Sequence, residues 1–272
     1  MAVRSAEHGF SIRPWALRRT RAAAVLGAGL ALLAGVALGA PSAGASTKSA
    51  AKANAKATNN LVDDALYDAL TSGFVHEVST FSGQGETLKM VNDIGANEGQ
   101  QTLVSGAAFG QVMVIGHQTF VRGNTQALVT LFSLSKSVGA TDADQWILVP
   151  PSNRRYGDIS GAVTLKSDFN QLPIPNRLTS GSPLERDGLR VIPVRGTIAA
   201  TKHDTALHLT MYITASKNNP IPVGLTVTVD HTTQTVAWTQ WGETPTLTAP
   251  TTTISLPANT SGSTNSATVT AV

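Results

Sequence analysis

Apolar and polar positions alternate so regularly in the last third of the chain that two strands can be read directly. Leu207, Leu209, Met211 and Ile213 interleave with His208, Thr210, Tyr212 and Thr214, and Val223, Leu225, Val227 and Val229 with Gly224, Thr226, Thr228 and Asp230. A period of two gives each strand one apolar and one wet face. A turn at residues 230–233 leads into a further strand over 234–241. Upstream, β-branched or alternating runs at 74–81, 86–94, 100–107, 111–115 and 118–121 are separated by turns too short for crossover helices, so antiparallel pairing is expected. Gly83-Gln84-Gly85 reads as one of those tight hairpin turns.

Helical spacing appears in three places. Asn60 stands as a cap before Leu61, Val62, Ala65, Leu66, Ala69 and Leu70, and Gly73 follows them. Asn124 opens a second helix over 124–136 that carries Leu128, Val129, Leu131, Phe132 and Leu134. A third is expected over 159–169 and is stopped by Pro173 and Pro175, with a strand at 145–149 between the two. The pattern amounts to roughly nine to eleven strands and two or three helices, an α+β chain whose one-faced sheet must curl around its helices. Periodicity leaves open whether the concavity is filled by side chains or holds a cavity.

The ends differ in composition. Residues 1–45 place Arg4, Arg13, Arg18, Arg19 and Arg21 before an uncharged stretch at 22–40 and the small triplet Ala43-Gly44-Ala45, the order of a cleavable signal peptide. The same stretch is long enough for an uncleaved anchor, and Arg18-Arg19 leaves general or twin-arginine export open. Residues 46–59 are Ala, Lys, Ser, Thr and Asn and predict a disordered tether; residues 251–272, rich in Thr, Ser and Asn, predict a disordered tail. One domain, 60–250, lies between.

Charge changes meaning once the leader is set apart. The chain has 20 basic and 17 acidic residues. Residues 1–45 take five Arg and only Glu7, so the remainder is close to neutral and a pI near 9.3 is largely the leader's. No basic stripe with interleaved aromatics is present, and nucleic acid is not expected as a partner. Cysteine is absent, which excludes thiol catalysis, thiolate metal sites and acylation at a lipobox cysteine.

Candidate chemistry is sparse. His203 and His208 flank Asp204 but fall on opposite faces of a strand, while His76, His117 and His231 read as isolated structural histidines. Asp63, Asp64 and Asp68 sit on the wet face of the first helix. Asp142-Ala143-Asp144 lacks the Gly and closing Glu of a calcium loop. No nucleophile elbow, zinc-binding His-Glu helix or phosphate-cradling Gly loop occurs. No catalytic residue, metal ligand or cofactor is therefore expected. A hydrolase would need His208, Asp230 and a Ser or Thr to converge.

Phe120-Val121-Arg122-Gly123, the run Asp144-Gln145-Trp146-Ile147-Leu148-Val149-Pro150, and Trp241-Gly242-Glu243-Thr244-Pro245 continuing to Pro250 occur in the order and spacing of a known group. Over about residues 60–250 the chain resembles the exported LppX/LprG-type proteins of actinobacteria, relatives of the LolA-like lipoprotein carriers, here as a non-lipidated member because Ala-Gly-Ala-Ser replaces the lipobox. The resemblance implies a strongly bent antiparallel β half-barrel with two or three helices across its concave side and an apolar cavity for acyl chains of lipids or lipoglycans. It further implies a carrier or shuttle in the cell envelope or outside the cell; the missing catalytic constellation and the missing lipobox cysteine add the expectation of a non-enzymatic, monomeric protein that touches membranes transiently and is not held by a lipid anchor. If the cavity exists, Leu128, Leu131, Phe132, Leu209, Met211, Ile213, Leu225 and Val227 are expected to line it; taken one by one, each reads more readily as plain core. The alternative within the same resemblance is a sensory or protein-interaction domain of the sigma-factor-regulator type, without ligand transport.

Overall fold

The computed structural model describes residues 44–83, 85–201, 205–256 and 268–271, with side chains from 53 to 256 within those spans. The leader at 1–43 lies outside the described residues, as do Asp204 and His203. Helix α1 (Gly44–Thr71) is followed by five strands, β1 (Phe74–Gly83), β2 (Glu86–Gly95), β3 (Gly99–Ser105), β4 (Ala108–Ile115) and β5 (Gln118–Gly123). Helices α2 (Thr125–Thr130) and α3 (Lys136–Thr141) precede β6 (Ile147–Val149). Then come α4 (Tyr156–Ser160), a 3-10 turn (Gly161–Val163) and α5 (Leu165–Asn170). The chain closes with β7 (Leu178–Ser180), β8 (Leu184–Arg186), β9 (Leu189–Ile198), β10 (Leu207–Thr214), β11 (Pro222–Val229), β12 (Thr232–Thr239), β13 (Thr252–Ser255) and β14 (Thr268–Ala271).

The described strands form one curled, open sheet in the order β14-β13-β6-β5-β4-β3-β2-β1-β12-β11-β10-β9-β7, with β8 pairing off this path against β9. Every pairing is antiparallel except that of β13 with β6. The first and last strands of the chain's main meander meet where β1 pairs β12, which brings the two halves of the sequence together at the sheet's middle.

Helices cover one face of this sheet, and the apolar side chains beneath them fall into two clusters. The first unites Val62, Ala65 and Ala69 of α1 and Leu165 and Phe169 of α5 with Val75, Ile94, Val194, Leu209, Met211, Ile213, Leu225, Val236 and Trp238. The second unites Leu128 and Phe132 with Leu88, Leu103, Val112, Val121, Ile147, Val149, Ile159 and Val163. Burial of each large side chain contributes about 1.5–3 kcal/mol.

Four expectations are revised. The segment 46–59, expected as a tether, is part of α1, and its end is docked: Thr58 is buried, with Oγ1 2.9 Å from Asn54 O and 3.2 Å from Ser180 Oγ. Alanine-rich sequence has the highest helix propensity, so a helix already held by Val62, Ala65 and Ala69 extends backward at little cost. In the tail, Thr252–Ser255 forms β13, because Leu256 reaches the second cluster, Ile254 is buried beside it and β6 offers an edge for pairing.

The helix expected over 124–136 is two helices. Asn124 caps the first by accepting from Ala127 N at 2.9 Å; Ser133 then takes φ 53°, and Ser135 caps the second by accepting from Val138 N at 3.2 Å. This turn lays Phe132 on the backbone of β4, where a Cβ on Gly110 would stand 2.8 Å from the ring. The helix expected over 159–169 is also broken, by Thr164 in extended conformation. Strand β9 was not legible at all, since exposed Leu189, Arg190, Arg195 and Ile198 mask its alternation.

Candidate ligand site on the concave sheet floor

Register across the sheet places a row of partners side by side on the covered face: Trp238, Glu77, Asn92, Gln101, Val112, Val121 and Ile147, from β12 through to β6. Side chains directly opposite in antiparallel pairs lie on one face, about 4.5–5.5 Å apart. The middle of this row is polar, with Glu77, Asn92 and Gln101 all buried. Ser79, two positions along β1, is buried as well and begins the neighbouring row, in which it partners Val236 on one side and Met90 on the other. The polar group therefore lies where one apolar cluster gives way to the other.

Glu77 is the centre of this group. Asn92 Nδ2 donates to its Oε1 at 2.7 Å and Trp238 Nε1 donates to its Oε2 at 2.9 Å, both buried. From the helix side α5 adds Asp168, and the adjacent Phe169 stacks on Trp238 with centroids 5.4 Å apart and on Trp241 at 5.8 Å. Burial pushes the Glu77 carboxyl above its ordinary range, opposed by the bonds from Trp238 and Asn92. Burial also raises Asp168, well above the usual carboxyl value, and the Glu77 charge adds to the effect. Asp168 as a whole residue keeps some exposure, while its Oδ2 is sealed from solvent. Burial and the neighbouring Glu77 carboxylate thus both favour the protonated form of Asp168.

One polar atom of this floor, Asn92 Oδ1, is buried with no hydrogen-bond partner within the protein, while Ser79 and Asp168 both reach the Glu77 carboxyl. Such an atom costs about 1–3 kcal/mol when shut away from water. Trp241 Nε1 is in the same condition at the aromatic stack. The segment 156–170 lies above. Its 3-10 turn approaches β3 so closely that a Cβ on Gly99 would meet the carbonyl oxygens of Val163 and Asp93 at 2.5 Å each, so only glycine permits this roof. An isolated bridge between Gly95 and Thr164 pins it at one further point.

The eight expected lining residues are divided between the clusters, five on strands β10 and β11 and three on α2 or the turn that follows it. Leu209, Met211, Ile213, Leu225 and Val227 belong to the first; Leu128 and Phe132 belong to the second, with half-buried Leu131 packed against it. Met211 and Leu225 lie in the row that runs through Val236 to Ser79. The polar members of the floor escaped the sequence reading. Glu77 and Asn92 stand in ordinary strand alternation, and nothing local distinguishes a buried carboxylate from an exposed one. The usable signal was polar residues at positions where the β1 and β2 alternation calls for apolar ones.

The remaining candidates lie on the outer face. His76, read as isolated, has Nδ1 2.7 Å from Asp93 Oδ1, and Gln100 Nε2 donates to the other oxygen of Asp93 at 2.7 Å. His208 sits 3.2 Å from Thr197 Oγ1, while Asp230 accepts from Thr205 at 3.0 Å, so the pair a hydrolase would need does not converge. Arg177, Arg195, His208, Thr179, Thr197 and Thr210 border an open groove of about 450 Å³ on this outer side. Asp142-Ala143-Asp144 is a turn, with Asp144 at φ 62° and its N–H donating to Gly123 O at 2.8 Å. Among the described residues no three His, Asp or Glu side chains gather as a metal site, and no helix is long and apolar enough to cross a membrane.

No protein-family model matches the chain, and no curated protein matches it. Among solved structures it is similar to LprF from Mycobacterium bovis, at 15% identity over 72% of this chain and 97% of that one, with a TM-score of 0.45. It is similar to the Mycobacterium tuberculosis lipoprotein LppX at 16% identity, 70% and 98% coverage and a TM-score of 0.46. A more distant likeness is to MucB, at 10% identity, 74% and 70% coverage and a TM-score of 0.35.

Proposed function

We propose that this protein is an exported, non-enzymatic binder of a hydrophobic ligand, a lipid in the first instance, which it carries or shields on the concave side of its bent sheet. The observation that bears most weight is the floor itself. Two apolar clusters meet at a band of buried polar atoms, of which Asn92 Oδ1 and Trp241 Nε1 have no partner in the protein. A folded core without a second purpose places apolar residues there, because each unpartnered polar atom is costly. An amphiphile explains both halves of the arrangement, its body replacing contacts among the cluster side chains and its polar end meeting the band.

The roof suits such a role. Segment 156–170 is built of pieces only five, three and six residues long, held by Ile159, Val163, Leu165 and Phe169 rather than by a continuous helix. Short pieces of this kind open at lower free energy than the strands beneath. The eight residues Leu128, Leu131, Phe132, Leu209, Met211, Ile213, Leu225 and Val227 are proposed as the walls that meet the apolar body, with Met211 and Phe132 the most adaptable. With no cysteine in the chain, retention by an acylated cysteine does not apply.

Native mass spectrometry of the gently purified protein tests this. A bound mass that dissociates as a lipid is expected. A clean unliganded mass, together with no uptake of a fluorescent alkyl probe, overturns the reading.

A further inference from the structure

We propose that the open groove on the outer face of β7, β9 and β10 binds the phosphate monoester of a small polyol, such as a sugar phosphate. Arg177 and Arg195 take the phosphate, and His208 with the surrounding threonines takes the polyol. This goes beyond the carrier reading and does not depend on it, because the groove lies on the face of the sheet opposite the apolar clusters.

Register assembles the site. Thr179 of β7, Arg195 of β9 and Thr210 of β10 are partners in one row, and Thr197 partners His208 in another. Continuing the β7–β9 register by one residue beyond Leu178 sets Arg177 beside Thr197. Between these rows stand Leu178, Gly196 and Leu209, whose leucines belong to the first cluster, so the six flanking residues take the opposite face. Arg177 and Arg195 are therefore diagonal neighbours on adjacent strands, a separation that long side chains bridge. Glycine at 181 leaves room for one of them, since a Cβ there would stand 3.1 Å from Arg195 Nη1. Thr197 Oγ1 lies 3.2 Å from His208 Nδ1, which holds the ring and leaves its other nitrogen for a ligand.

Charge selects the occupant. Arg177, Arg195 and His208 border the groove and no carboxylate does. Among the described residues the ion pairs are His76 with Asp93, Arg155 with Asp158 and Arg186 with Asp187, so neither groove arginine is paired. Like charges on facing strands repel, and an anion between them removes that cost. A phosphate monoester carries about −1.5 to −2 at neutral pH and presents three acceptor oxygens, enough for two guanidinium forks. A carboxylate is filled by one fork, and a sulfate ester carries a single charge. The groove, about 450 Å³, is more than a lone ion fills and falls within the ~300–1,000 Å³ usual for small-molecule sites. Thr179, Thr197 and Thr210 border the remainder with hydroxyls, which both donate and accept as a polyol does. A bilayer surface is a poorer fit, because it is gripped by clusters of about 4–8 Lys or Arg.

The test is titration calorimetry of the full chain with glucose 6-phosphate, glucose 6-sulfate, glucose and inorganic phosphate, alongside co-sedimentation with phosphatidylglycerol vesicles. Glucose 6-phosphate is expected to bind, the sulfate ester and inorganic phosphate about tenfold or more weaker, and glucose not measurably. Arg177→Ala and Arg195→Ala are each expected to weaken glucose 6-phosphate by about tenfold or more. Lys89→Ala, which removes an exposed cation from β2, is expected to leave it unchanged. The proposal is overturned by no binding of glucose 6-phosphate, by inorganic phosphate bound as tightly as the ester, or by equal affinity in the parent and both arginine variants. Vesicle binding that is lost in the arginine variants, without binding of the soluble ester, overturns it as well and makes the groove a membrane contact. None of these results touches the carrier reading, which stands or falls on uptake of an alkyl probe.

Discussion

Trp238 on β12 donates its indole N–H to the carboxylate of Glu77 on β1 at 2.9 Å, across 161 positions of sequence, and the two residues are also register partners in the sheet. This buried bond closes the seam between the first and last parts of the meander. It also satisfies half of a carboxylate that otherwise has no place in a protein core. Replacing Trp238 by Phe keeps most of the ring contact with Phe169 and removes the donor. The expected loss is about 2 kcal/mol or more, as for a buried charge deprived of one hydrogen bond, measured by urea denaturation. A loss below a few tenths would show that Glu77 is held by other means.

Acid should favour the folded state at this site. Asp168 in the fold binds its proton more tightly than the unfolded carboxyl with its ordinary value of 3.8. Above that value the folded form therefore holds more protons than the unfolded form, and stability falls as pH rises through the raised value. Its contribution is fully present below the unfolded value. Asp168→Asn removes this titration, so the variant is expected to lose less stability than the parent between acidic and neutral pH. Denaturation midpoints of both proteins across that range decide the matter; parallel curves would refute it.

Gly99 makes the roof possible. A methyl group there meets two backbone oxygens at 2.5 Å, neither of which can swing aside as a flexible side chain would. Gly99→Ala is expected to destabilise the fold by about 1–3 kcal/mol and to loosen segment 156–170 in particular. Hydrogen exchange followed by peptide mass analysis should show faster exchange in that segment with β10 and β11 unchanged.

Ile254 provides the measure of how far the folded domain extends. Buried at 5% exposure in β13, it packs beside the second cluster through a parallel pairing with Ile147 of β6. Ile254→Ala is expected to cost about 2–4 kcal/mol, read from chemical denaturation. An effect near zero would return residues 251–256 to the status of a tail.

The sequence by itself determined the strands whose two faces differ in polarity, because a period of two is a local property written in consecutive residues such as Leu207 to Thr214. Asn124 and the β1–β2 turn, where Gly83 pairs with Glu86, were legible for the same reason: capping and tight turns depend on a few neighbouring atoms. The absence of cysteine likewise excluded a body of chemistry outright. What only the tertiary structure decided were matters of distance between remote segments. The helix ran back over its alanine-rich start because Val62, Ala65 and Ala69 were held in the first cluster, and the tail became a strand because β6 left an edge for Ile254. Above all, Glu77, Asn92, Ser79 and Asp168 read as ordinary polar positions along the chain. They became a buried site only when four separate elements, β1, β2, β12 and α5, closed around them and excluded water, since burial and the ionisation it alters are properties of the assembled packing and not of any one segment.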